Sequence, residues 1–500
     1  MPDIILTTLN SRYIHSAFGL RYLYANLGEL QSQAKIEEFT IHEDSLTLAE
    51  KLLLQNPQII GFSVYIWNIT EITRLIQLIK QINSNIYIVL GGPEVSHIPD
   101  QPRVVDIVDY VIKGAGEISF KQLCLQLLNH QKPIEKIIQG IQVPLEQINL
   151  PYLYYNEEDI KNRLIYVEAS RGCPFKCEFC LSALDKTAKS FVIDDFLKEI
   201  ALLITKGVRN FKFIDRTFNL KIATTIQILE FFLAHLSDDL YLHFEVIPDH
   251  LPEKLKAVLS RFPDAMLQFE IGVQTFDPKI QQIISRRQDN QKTAENLIWL
   301  RENTGAHLHV DLIFGLPSDD LINFGKSFDQ LVALKPQEIQ LGILKRLRGA
   351  PINRHTKEYQ LCYNPQPPYN ILSTRDIDFF TMQRVNRFAR YWDLIANSGR
   401  FKYSLPLILA TAPFQNFMIL SDALYRDAKA TWKIALKRLY IYLYHILLND
   451  LKCDINQVKQ SLEQDFKRNK EKGNFDLLLQ KEDKKEKVGQ ANKRQQRHSN

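Results

Sequence analysis

The chain has 500 residues, 45% of them hydrophobic, with 62 Lys and Arg against 57 Asp and Glu. That is more chain than a single hydrophobic core organises, so two or three globular domains are expected. No basic leader with an apolar core opens the sequence and no apolar run is long enough to span a bilayer, so it predicts a cytoplasmic protein, neither secreted nor membrane-bound.

From residue 1 to 139, short apolar runs alternate with amphipathic helical stretches: DIILTTL, GLRYLYANLGEL, IEEFTI, SLTLAEKLLLQ, QIIGFSVYIW, TEITRLIQLIKQI, IYIVLGG and VDYVIKG. Such alternation predicts an α/β domain, a doubly wound parallel sheet of Rossmann-like type. Ligands of these sheets bind at the carboxyl ends of the strands. There the sequence places NSRYIHS, SVYIWN, GGPEVS and KGAGEIS. Gly91, Gly92, Gly114 and Gly116 would let backbone approach a large flat or phosphate-bearing ligand, although tight turns explain them almost as well. No G-x-G-x-x-G follows the first strand, which argues against a nicotinamide dinucleotide.

Residues 140–163, with VPLEQINLPYLYYNEEDIKNR, lose any period and read as a linker. Residues 164–364 hold a second βα series, with strands in LIYVEAS, VRNFKFID, LYLHFEVI, AMLQFEIGV, HLHVDLIFG and EIQLGILK. Six βα units predict a partial (βα)6 barrel whose chemistry collects at the strand ends. Residues 365–465 turn helical, and 466–500 read as a basic disordered tail. Such a tail attracts nucleic acid only weakly and without sequence preference, so nucleic acid is not the expected partner.

Three of the six cysteines, Cys173, Cys177 and Cys180, form C-x3-C-x2-C directly after the first barrel strand. Cys124, Cys362 and Cys453 are scattered, as free thiols in a reducing compartment would be. Three thiolates at this spacing can hold three irons of a [4Fe–4S] cluster, leaving the fourth iron open. An open metal position marks a site that binds a substrate. A zinc site completed by a histidine is the alternative, but no histidine stands at motif spacing. Phe179, just before the third cysteine, is either core or a shield for such a cluster.

This motif, with its aromatic residue and its place after the first strand, resembles the radical S-adenosylmethionine superfamily over roughly residues 160–350. The resemblance implies that S-adenosylmethionine chelates the open iron, that an electron from the cluster cleaves its sulfonium bond, and that the resulting deoxyadenosyl radical takes a hydrogen atom from substrate. Where that family carries Gly-Gly-Glu after the second strand, this chain has Asp215, Arg216 and Thr217. Glu245, Gln274 and Asp311 on the third, fourth and fifth strands, with Arg286, are similar to the coproporphyrinogen-dehydrogenase-like branch. There the matching residues contact S-adenosylmethionine; Asp215, Thr217 and Phe179 join them as expected cofactor contacts.

A doubly wound domain ahead of such a barrel resembles the cobalamin-binding class of these enzymes. The resemblance places Ser63, Gly91, Gly92, Gly114 and Glu117 in loops that contact the corrin. Many corrinoid modules carry D-x-H-x-x-G; here YIHSAF keeps His15 but has Tyr13 and Phe18 for the Asp and Gly. Cobalamin bound without a histidine ligand is therefore favoured over ligation by His15, whose ring lacks an orienting carboxylate. The region from about Asp376 resembles the helical C-terminal extension of an uncharacterised bacterial subfamily. Together these resemblances imply an enzyme that methylates an unactivated carbon of an unknown small molecule, reduced by a donor such as flavodoxin or ferredoxin. A radical rearrangement with the same cofactors, or an RNA-modifying radical enzyme, are the alternatives. The last normally carries extra N-terminal cluster cysteines, and the first 120 residues here contain none.

Overall fold

All seven residues of the first strand, Ile4–Asn10 (β1), are buried, as in a strand covered on both faces by helices. Five more strands join it: Ala34–Thr40 (β2), Ile59–Ser63 (β3), Tyr87–Gly91 (β4), Tyr110–Lys113 (β5) and Ile137–Gln139 (β6). The structure is a computed structural model describing residues 1–482. The sheet is parallel, in the order β2-β1-β3-β4-β5-β6. The chain reverses its direction of travel between β1 and β3, the switch point where such sheets open a crevice for a ligand. The helix Ile69–Ile82 places Ile69, Ile72, Leu75, Ile76 and Ile79 in the core on one side. On the other side Phe120, Leu123, Cys124 and Leu127 of the helix Glu117–Leu128 bury against β1, β3 and β5. β6 was not expected: its three residues are not buried, so it has no apolar signature.

The second sheet contains all six expected strands: Ile165–Val167 (β7), Asn210–Phe213 (β8), Tyr241–Val246 (β9), Leu267–Gln274 (β10), His307–Phe314 (β11) and Glu338–Ile343 (β12). They run β12-β11-β10-β9-β8-β7. Side chains alternate along them: Leu267, Phe269, Ile271 and Val273 are buried, while Gln268, Glu270 and Gly272 share the opposite, less buried face. On β11 the same alternation sets Leu308, Val310 and Leu312 against His307, His309 and Asp311. In-register pairing of Tyr166, Lys212 and His243 extends this polar face across β7, β8 and β9.

The expected linker, 140–163, is more than a spacer. Tyr152 and Tyr155 are buried, and Asp159 of the helix Glu157–Asn162 pairs with buried Arg21 at 2.6 Å. Boundaries also differ from expectation, since Met1–Asp320 with Gly342–Asp378 form one compact unit and Leu321–Leu341 with Phe379 onward form another. Residues 365–378 are not yet helical: a hairpin of Cys362–Tyr363 and Ile371–Ser373 lies here, with Ile371 and Ile377 buried. Within the second unit Phe328 of the helix Leu321–Leu334 packs edge-on against Phe388 and Trp392. A disordered tail from 466 is also corrected. The helices Ile455–Arg468 and Phe475–Glu482 bring buried Phe466 and Phe475 against Tyr440, an aromatic cluster that repays their ordering. The rest of that expected tail, 483–500, lies outside the described residues. Among the described residues no helix is long and apolar enough to cross a membrane.

Candidate functional site

At the carboxyl ends of β1, β3, β4 and β5 lies a cavity of about 750 Å³. His15, Ser63, Gly91, Gly92, Gly114 and Glu117 all line it. Gly92 adopts φ +108°, and a Cβ there would stand 2.4 Å from the Val64 carbonyl oxygen, so only glycine fits. Tyr65 and Trp67, in the SVYIWN segment, stack at 4.3 Å on the wall. From β7 and the segments that follow β7 and β8 come Tyr166, Glu168, Arg171 and Ile214, none of them singled out by the sequence. Arg171 donates to Glu168 at 2.8 Å and Glu117 at 2.6 Å, and lies over the Tyr22 ring. Its only sequence signal was its place two residues before Cys173. His15 shares a 2.7 Å hydrogen bond between Nδ1 and the Tyr166 hydroxyl, so a tyrosine stands where the missing carboxylate would act. Burial, then Lys212 and Arg12, pushes its pKa below the usual imidazole value.

A second cavity, about 250 Å³, holds the cysteines. Gly172 opens their loop at φ +87°, where a Cβ would meet the Thr187 carbonyl oxygen at 2.1 Å. The Cys173 and Cys180 backbone amides donate to the carbonyls of Asp185 and Cys177, both at 3.1 Å. All three thiols line the cavity, with Phe179, Thr217, Glu245, Gln274, Arg286 and Asp311. Thr217 Oγ1 lies 3.8 Å from Cys173 Sγ, and Arg286 donates to Cys177 Sγ at 3.6 Å as well as to the Gly272 carbonyl. Burial raises the Cys177 pKa, and Arg286 works against it.

Electrostatics separate the cavity's carboxylates. Glu270 is partly buried, yet His243 and Lys212, each 3.1 Å away, hold its pKa down to about 2. Asp311 goes the other way: burial, then Glu270 and Glu245, push it up to about 8. Burial also raises Glu245, with Arg216 opposing. Gln274 closes β10 at φ +70°, where the register with β11 shifts; it is 8% exposed, and among the described residues its Oε1 has no hydrogen-bond partner. A strained, buried amide with an idle acceptor is a feature of a ligand site.

Asp215 corrects the sequence reading, because it does not line this cavity. Its carboxylate accepts from the Ala169 amide at 3.0 Å and the Ser170 hydroxyl at 2.6 Å, bracing the chain that leaves β7. Burial raises its pKa to about 7.

Zinc and an iron–sulfur cluster make different demands on three thiols. No histidine lines the cysteine cavity, and among the described residues no three His, Cys, Asp or Glu side chains converge as a single metal ion would require. Three thiols set around an open cavity fit an iron–sulfur cluster with one iron free for a small ligand. Glycine backbone and stacked rings in the larger cavity fit a broad flat ligand.

Comparison with known proteins agrees. Residues 4–124 match the B12 binding domain, 167–331 the radical SAM superfamily, and 357–500 a protein of unknown function (DUF4080). The chain thus carries a B12 binding domain and a radical SAM domain, and the cofactors these domains imply are cobalamin, S-adenosylmethionine and a [4Fe–4S] cluster. Among its relatives is the cobalamin-dependent radical SAM methyltransferase TokK of Streptomyces tokunonensis, 23% identical over 63% of this chain and 51% of TokK. An uncharacterized methyltransferase, PH0819, of Pyrococcus horikoshii is 26% identical over 42% of this chain and 50% of its own. The chain thus spans about half the length of these curated relatives. In fold it is similar to the cobalamin-dependent S-adenosylmethionine radical enzyme OxsB, at TM-score 0.65 and 14% identity over 96% of this chain and 83% of OxsB. It is also similar to the radical S-adenosylmethionine methyltransferase TsrM from Kitasatospora setae, at TM-score 0.59 and 16% identity over 72% and 78% of the two chains.

Proposed function

We propose that the protein is a cobalamin-dependent radical S-adenosylmethionine methyltransferase acting on an unactivated carbon of a small molecule. The observation that carries this reading is the adjacency of the two cavities. Glu168 and Arg171 line the larger one and Cys173, two residues on, lines the other; Ile214 and Arg216 repeat the arrangement on the next strand. When bound, the cluster and S-adenosylmethionine supply one-electron chemistry able to open an unactivated C–H bond, and cobalamin supplies a methyl group.

The chain's own residues bind, orient and exclude water. Cys173, Cys177 and Cys180 would hold three irons and leave a fourth open. Arg286, already donating to Cys177 Sγ, pairs with a carboxylate, Glu245 and Asp311 accept from hydroxyl or ammonium groups, and Gln274 offers its idle Oε1. Phe179 and Phe175 on the cavity wall keep water out. Gly91, Gly92 and Gly114 admit the corrin, with Ser63 and Glu117 at its edge. His15 is taken as a wall residue and not a cobalt ligand, because the D-x-H-x-x-G set around it is incomplete; Tyr166 holds its Nδ1. An electron donor of the flavodoxin or ferredoxin kind completes the system.

Anaerobic reconstitution with hydroxocobalamin tests this. About four irons per chain, one cobalt, and methylation of a candidate substrate with 5′-deoxyadenosine release are expected; cobalt without iron, or iron without cobalt, would refute it.

A further inference from the structure

Between the second and third cysteines stands a glutamate that the chemistry above does not use. Glu178 is 4% exposed. Its carboxylate accepts four hydrogen bonds: from Ser285 Oγ at 2.7 Å, from Arg354 Nε and Nη2 at 2.9 and 2.6 Å, and from His355 Nε2 at 2.9 Å. Its backbone is pinned as well. The amide donates to the Ile284 carbonyl at 3.0 Å, and the carbonyl accepts from the Ile352 amide at 2.9 Å.

These partners come from two places far apart in sequence. Ile284 and Ser285 follow the short helix Pro278–Ile283, whereas Ile352, Arg354 and His355 belong to the turn Pro351–His355 beyond β12. Ser285 sits at φ +54°, a conformation costly for a residue with a side chain. The next residue is Arg286, which donates to Cys177 Sγ. One carboxylate thus ties the cysteine loop to the segment carrying the sulfur's own hydrogen-bond donor.

We infer that Glu178 is a positioning residue that locks the C-x3-C-x2-C loop, and the Arg286 donor with it, into the geometry that retains the cluster and tunes its potential. This rests on the cluster assignment above. Within the loop the Cys173, Cys180 and Ala183 amides donate to the Asp185, Cys177 and Cys180 carbonyls, all between residues of the loop itself. The bidentate Arg354, with a hydroxyl and an imidazole, anchors the loop to the rest of the fold. Hydrogen bonds to sulfur and nearby charge are also what set cluster potentials. Replacing the carboxylate by an amide keeps the shape, but it removes a negative charge and turns a donor toward Arg354 or His355.

The test uses the full chain, reconstituted anaerobically, in wild type, Glu178→Gln and Arg354→Ala. Arg354 has a side chain 64% exposed, so its removal leaves the core intact. Three quantities are read: the rate of iron loss to a chelator, the midpoint potential of the cluster, and the change in its paramagnetic resonance signal when S-adenosylmethionine is added. For Glu178→Gln, iron loss should speed up roughly tenfold, as expected for losing a charge-assisted hydrogen bond. Its potential should move positive and its response to S-adenosylmethionine should weaken. Arg354→Ala should shift iron loss and response the same way by about threefold, with cobalamin binding unchanged in both. Wild-type rates, potential and signal in both variants would overturn the inference. If Glu178→Gln takes up no cluster, Arg354→Ala decides. A wild-type chain that takes up no cluster would show instead that the cluster assignment itself fails, a result visible without any variant.

Discussion

Glycine backbone and aromatic rings make up much of the wall of the larger cavity, whereas the cysteine cavity is lined by four carboxylates and three guanidinium groups: Glu245, Asp249, Glu270, Asp311, Arg216, Arg286 and Arg287. Both sit at the carboxyl ends of parallel strands in the same compact unit, so fold alone does not separate them. What separates them is the inward face of the strands. The first sheet is buried along β1 and β3 and meets its cavity with glycine backbone and rings, the charged Arg171, Glu117 and Glu168 standing together on one part of the wall. The second turns Lys212, His243, Glu270 and Asp311 toward one side, and Glu270 and Asp311 line its cavity. Steric changes should therefore disable one cavity and isosteric charge changes the other.

The largest expected effect is on the thiol side. Cys177→Ala should abolish 5′-deoxyadenosine formation, by about a thousandfold or more, while leaving cobalamin bound; iron analysis and visible spectra check both. Next comes a steric change on the other side. Gly92→Val should cost about 3 kcal/mol of cobalamin affinity, a loss near a hundredfold by titration. Its iron content should stay at wild type; a fall in iron and cobalt together would show that the two sites are not separable.

Asp311→Asn sharpens the contrast through pH. The Asp311 carboxyl in the folded protein titrates near 8 against an ordinary value of 3.8, so at pH 7 it holds its proton. A cationic ligand must displace that proton, so affinity for S-adenosylmethionine should rise by up to about tenfold per pH unit below 8 and then level off. The asparagine variant should bind weakly with a flat pH profile. Linkage works on stability too: between those two values the folded chain carries a proton that the unfolded chain has lost, so ligand-free stability falls as pH rises. Asp311→Asn should remove that slope in denaturant titrations. The smallest effect is expected at His15. His15→Ala should change cobalamin affinity by less than about 1 kcal/mol and leave the paramagnetic spectrum of reduced cobalamin unaltered; loss of a nitrogen splitting present in wild type would make His15 a cobalt ligand.

Much of this was legible beforehand, and the exceptions have reasons. β7 to β12 were readable because period-2 alternation survives where one face is polar. β6 was not, as three residues that are not buried carry no period. Asp215 was misplaced because the end of a strand can send a carboxylate toward a ligand or back to its neighbour's amides, and only Ala169 and Ser170 in three dimensions decide. Arg171 and Tyr166 carry no local signal because each reaches a cavity whose walls from the first domain lie more than forty residues away.

By itself the amino-acid sequence determined the order of strands and helices and the three-cysteine set, since local period and ligand spacing are short-range properties. Only tertiary structure decided that Arg171 lines one cavity and Cys173 the other, that the helix Leu321–Leu334 packs with the C-terminal helices, and that Glu178 faces Arg354. Those are contacts between residues distant along the chain, and close packing of the folded molecule, not local preference, selects them.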